Sequence, residues 1–120
     1  MLLPQNSIRL YAGETRTLEF SVADREGRIQ DLTGARVVMS VRESMLDHQP
    51  LILKTTDDPA QAMIASITGG LVRFFFTSQD TKYLRPAQYG YDIWVLMPNG
   101  DKFPVIESSV LEIKGSVTRL

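Results

Sequence analysis

His48 and its neighbour Asp47 are the first residues to weigh for chemistry, because an imidazole oriented by a carboxylate can act as a general base. Adjacent residues of an extended segment point to opposite faces, so these two do not orient each other, and an exposed loop histidine is the expectation. His48 is the single histidine of the chain, and no Gly-x-Ser-x-Gly elbow offers it a nucleophile. There is no cysteine, which excludes disulfides, thiol nucleophiles and cysteine metal sites. Asp57 and Asp58 with Asp80 are a conceivable calcium set, but no Asp-x-Asp-x-Gly loop accompanies them. Helix capping explains Asp58 more simply. Gly69-Gly70 is not a phosphate loop, since no Gly-Lys-Ser/Thr follows. The remaining acids are scattered, with no pair assigned to a cleft. The chain is therefore read as non-enzymatic, with no catalytic residue, metal or cofactor.

The elements that would carry any site have a period of two. Leu18, Phe20 and Val22 fall on one face of a strand, with Thr17, Glu19 and Ser21 on the other. Asp24-Arg25-Glu26-Gly27 reads as a turn closed by a left-handed glycine. Val37, Met39 and Val41 define the inward face of the next strand, opposite Arg36, Ser40 and Arg42. Leu51 to Thr55 is a further strand, and Asp57 to Ala62 carries the signals of a single helical turn. Met63–Thr68 and Leu71–Thr77 flank a glycine hairpin turn. Thr77-Ser78-Gln79-Asp80 fits a capping box and opens a short helical turn. Pro98-Asn99-Gly100-Asp101 is a hairpin signal between Trp94–Leu96 and Phe103–Ile106, and Val110 to Val117 reads as the last strand. Pro104 has no N–H to donate and belongs at a sheet edge or a bulge, and Glu107-Ser108-Ser109 is expected to interrupt the strand.

Seven to nine short antiparallel strands with one or two helical turns make an all-β, immunoglobulin-like β-sandwich, a single domain over residues 1–120. The structural corner is Leu84-x-Pro86-x-x-Tyr89-x-Tyr91, where a tyrosine hydroxyl ties the chain back onto the backbone. If that hydroxyl belongs to Tyr91, Tyr91→Phe costs about 1 kcal/mol. The composition is that of an ordinary globular chain, 43% hydrophobic and 22% charged. With a net charge of −1 and no basic stripe, nucleic acid is not an expected partner. No apolar run is long enough to span a membrane. Met1-Leu2-Leu3-Pro4 lacks the length and basic residues of a signal peptide, so synthesis in the cytoplasm is expected.

Contact surfaces are better represented than chemistry. If Tyr91, Ile93 and Val95 point inward, Trp94 and Leu96 point outward beside Asp92. Phe75 likewise falls on the face opposite Val72, Phe74 and Phe76. Outward aromatics flanked by arginine are enriched at protein interfaces. The ends, with Leu2, Leu3 and Leu120, are unusually apolar for free termini and complete the candidate interface set.

Three blocks occur in order: the strand Leu18–Ala23 leading to Asp31-Leu32-Thr33-Gly34-Ala35, then Gly70-Leu71-Val72-Arg73-Phe74 with Thr77-Ser78-Gln79-Asp80-Thr81, and finally Leu84-x-Pro86-x-x-Tyr89-x-Tyr91-Asp92-Ile93, running on to Gly115–Arg119. From about residue 13 to 119 the chain resembles the Ig-like domains of tailed-bacteriophage structural proteins, particularly the N-terminal domain of the baseplate upper protein family. The resemblance implies a virion protein of the tail, baseplate or neck, made in the host cytoplasm. Such a protein acts by contacting symmetric neighbours, as a homo-oligomer or ring among other virion structural proteins. A head-decoration protein is the alternative within that class. A carbohydrate-binding module, with Trp94, Tyr91 and Phe75 as a stacking platform, is the alternative outside it. Burial of those rings would rule that platform out.

Overall fold

The alternating runs form strands at nearly the positions their periodicity requires. The computed structural model describes residues 6–44 and 46–118. Among them are eight strands, β1 (Ile8–Tyr11), β2 (Arg16–Ser21), β3 (Arg36–Arg42), β4 (Ile52–Thr55), β5 (Ala62–Ser66), β6 (Leu71–Phe76), β7 (Ala87–Leu96) and β8 (Lys102–Lys114). One helical turn, α1 (Ser78–Thr81), lies between β6 and β7. The strands form a five-stranded sheet, β1-β8-β7-β3-β4, and a three-stranded sheet, β2-β6-β5. In immunoglobulin terms β8-β7-β3-β4 is the G-F-C-C′ order of a variable-type sheet, and β2-β6-β5 is B-E-D. This is an immunoglobulin-like β-sandwich.

The pairing of β1 with β8 is parallel, so the expectation of a wholly antiparallel fold is corrected at this edge. Glu107-Ser108-Ser109 does not break the last strand either. β8 runs through it continuously and absorbs the irregularity as shifts of register against β7. Pro104 sits where β1 no longer flanks β8, on a free edge beside one of those shifts. Its missing N–H costs the ladder nothing there. Residues 58–62 make a single α-type bond, from the Ala62 N–H to the Asp58 carbonyl, and continue straight into β5.

The core fills from both inner faces. Val37, Met39 and Val41 of β3 and Tyr89, Tyr91, Ile93 and Val95 of β7 meet Val72, Phe74 and Phe76 of β6. Phe74 packs edge-on to Phe20, with ring centroids 5.9 Å apart. The Asp31–Ala35 block plugs one end. Asp31 accepts the Thr33 N–H and hydroxyl, bonds that hold its carboxyl below the usual range. Leu32 is fully buried between the sheets, and its N–H donates to the Ile67 carbonyl.

Two tyrosine hydroxyls tie β7 to the chain around it. Tyr89 O–H donates to the Arg85 carbonyl at 2.7 Å, closing the corner from four residues downstream. The tied hydroxyl is thus Tyr89's and not Tyr91's. Tyr91 stands two residues further on, where antibody domains carry the second cysteine. Its O–H donates to the Asn6 carbonyl and holds the segment before β1 against the sheet. Burial raises the Tyr91 phenol above its ordinary pKa, and the Ser109 hydroxyl across the ladder offsets part of that rise. Tyr89→Phe is expected to cost about 1 kcal/mol in urea denaturation through the lost corner bond. Tyr91→Phe is expected instead to speed amide exchange in β1.

Candidate protein interface

The cross-strand register assembles an apolar row on the outside of the five-stranded sheet. Trp94 of β7 lies directly between Val38 of β3 and Pro104 of β8. Inward neighbours Ile93 and Val95 are buried to 1% and 0%, so alternation turns Trp94 outward, where it remains 39% exposed. Leu53 of β4, 47% exposed, extends the apolar surface toward that edge, and Leu96 is half-buried two residues along β7. A shallow depression of about 380 Å³ lies over this face, walled by Val38, Ser40, Arg42, Asp92, Trp94, Leu96 and Lys102.

Charges of both signs surround the row, Arg42 and Asp92 on one side of it and Lys102 on the other. Asp92 lies two residues before Trp94, and its carboxylate accepts the indole N–H at 3.3 Å. Two residues after Trp94, Leu96 is flanked by Arg36 on β3 and Lys102 on β8. Arg36 makes a two-pronged contact with Asp57. Lys102 has no ion-pair partner among the described residues.

The expected interface residues do not form one surface. Phe75 lies on the outer face of the three-stranded sheet, opposite Thr17, on the far side of the sandwich from Trp94. Leu2, Leu3 and Leu120 lie outside the described residues. Tyr91 is 3% exposed and belongs to the core. The stacking platform of Trp94, Tyr91 and Phe75 therefore does not exist: one ring is buried and the other two are on opposite faces. Val38, Pro104 and Leu53 were not apparent as site residues. The available signal was Val38, an apolar residue in the outward row that otherwise reads Arg36, Ser40, Arg42.

The carboxylates weighed for chemistry all hold the fold, and the histidine lies apart from them. His48 is exposed in the β3–β4 loop, and the Asp47 carboxylate accepts the Ser44 N–H. Asp57 pairs with Arg36, Asp58 caps the Ala60 N–H, and Asp80 pairs with Lys54. Among the described residues no group of three histidine, cysteine or acidic side chains could hold a metal ion. A second cavity, about 610 Å³, opens at the end of the sandwich between the β1–β2 turn and α1, lined in part by Tyr11, Glu14, Lys82 and Tyr83. Glu14 is occupied there. The Tyr11 N–H and the Arg16 guanidinium bind its carboxylate and hold it below the usual range.

No protein-family model matches the chain, and no curated protein matches it. Among solved structures it is similar to a structure of murine CRIg, at 12% identity and a TM-score of 0.44, over 96% of this chain and 95% of that one. Among the described residues no helix is long and apolar enough to cross a membrane.

Proposed function

We propose that this chain is a non-enzymatic structural module of a tailed-bacteriophage virion, placed in the tail, baseplate or neck, and that it works through contacts with neighbouring virion proteins. The observation that carries the reading is the apolar row Pro104–Trp94–Val38, with Trp94 exposed at its centre, on the outer face of the five-stranded sheet. An aromatic anchor amid apolar neighbours and a polar rim is the composition of a binding hot spot. The resemblance of the Asp31–Ala35 and Tyr89–Ile93 blocks to phage Ig-like domains supplies the setting. A decoration protein of the head would use the same face, and copy number per particle distinguishes the two placements.

The test is incorporation. Particles purified from an infection are expected to contain the chain, and Trp94→Ala is expected to reduce its copy number at least severalfold while the isolated variant stays folded. Absence of the wild-type chain from purified particles would overturn the reading.

A further inference from the structure

We infer that the open edge of β2 receives an extended segment of another protein as an added strand, one that alternates apolar and uncharged polar side chains. In immunoglobulin sandwiches a first strand flanks the B strand. Here β1 pairs with β8 instead, and among the described residues no strand lies beside β2 on the side away from β6. The other edges are blunted in ways that discourage pairing. β1 and β4 are four residues long, β5 carries a register shift, and the free stretch of β8 contains Pro104. β2 keeps an unbroken register with β6 over six residues and contains no proline.

The phase of the β2–β6 ladder decides which backbone groups face the open side. The Val22 N–H donates to the Gly70 carbonyl, and the Phe75 N–H points the other way, to the Gln61 carbonyl just before β5. Bonding alternates along an antiparallel strand, so Leu18 and Phe20 bond to their partners Phe74 and Val72. Thr17, Glu19 and Ser21 therefore direct their N–H and C=O groups outward. The side chains mark the same opening. Leu18 and Phe20 point into the sandwich yet stay half-buried, while Phe74 and Val72 opposite them are 0% and 1% exposed. An added strand meets both needs. Its backbone pairs with alternate residues of β2, its apolar side chains cover the flanks of Leu18 and Phe20, and its polar ones continue the outer row. In that row Glu19 is already paired with Arg73 at 2.8 Å, which favours uncharged polar residues beside it.

Amide hydrogen exchange on the wild-type chain tests this residue by residue. In the free chain Thr17, Glu19 and Ser21 are expected to exchange at least about tenfold faster than Leu18 and Phe20. The probe is a short acetylated peptide of alternating threonine and valine with a lysine at each end. At millimolar concentration it is expected to slow the three outward amides at least about tenfold, and Leu18 and Phe20 much less. Glu19→Pro deletes the central outward N–H without touching the bonds to β6, and is expected to weaken peptide binding at least about tenfold. Glu19→Ala keeps that N–H and is expected to bind within about threefold of wild type. The wild-type exchange pattern decides the matter even if the proline variant does not fold. A peptide that leaves the three amides fast, or that binds the folded proline variant as well as wild type, would overturn the inference. So would outward amides already slow in the dilute free chain, since the edge would then be covered from within. Protection that appears on raising the concentration of the chain alone would assign the edge to a second copy and overturn the foreign partner. β2 and Trp94 lie on different sheets, so each of these outcomes leaves the virion reading as it stands.

Discussion

Asp80→Ala is expected to lower folding stability by about 3–5 kcal/mol, read as a shift of the urea midpoint at unchanged slope. Asp80 Oδ2 performs two tasks. It accepts the Thr77 N–H at 2.7 Å, closing the capping box that starts α1, and it pairs with Lys54 Nζ at 2.7 Å. Lys54 is 6% exposed on the inward side of β4, with its ammonium 5.5 Å from the Phe76 ring centroid. Removing the carboxylate leaves that cation buried and without its counter-charge, which accounts for most of the loss. Adding Lys54→Met to Asp80→Ala is therefore expected to recover all but about 1 kcal/mol, the remainder being the lost cap. Equal instability of the single and double variants would show that the cap, and not the stranded cation, dominates.

Gly70→Ala is expected to cost about 2–4 kcal/mol in the same experiment. Gly70 has φ +65°, a left-handed conformation that L side chains adopt only with strain. A Cβ there would stand 2.8 Å from the Val22 carbonyl oxygen and 3.0 Å from that of Gln30. Both obstacles are backbone and cannot rotate away. The same crowding is productive in the native chain, since the Val22 N–H donates to the Gly70 carbonyl at 2.7 Å and joins the end of β2 to the β5–β6 turn. Gly69→Ala provides the comparison. Its added methyl meets only the Ser66 side chain, and φ there is not left-handed, so a smaller loss is expected.

The fold was legible because its evidence is local. Alternation in β2, β3, β6 and β7, the Asn-Gly turn and the capping box all lie within short windows, and each acts through neighbours along the chain. Pairings between distant strands were not legible. The parallel β1–β8 ladder, the Lys54–Asp80 pair and the alignment of Val38, Trp94 and Pro104 join residues from separate windows, and no single strand encodes them. Trp94 and Leu96 could be assigned to an outer face from alternation alone. That Phe75 faces the opposite way required knowing that β6 and β7 belong to different sheets. The residue pattern marks a tyrosine corner, yet both Tyr89 and Tyr91 point inward, and only the reach of each ring decides which hydroxyl finds Arg85.

Trp94 is the single tryptophan of the chain, so its fluorescence reports on the proposed interface without labelling. The decisive measurement is acrylamide quenching of Trp94 across a dilution series, with sedimentation run on the same samples. If this face is the interface, quenching is weak where the chain is associated and rises as it dissociates, along the same concentration curve as the change in mass. Quenching that stays constant while the mass changes would mean that the chain associates through another surface and that the row around Trp94 is not its interface.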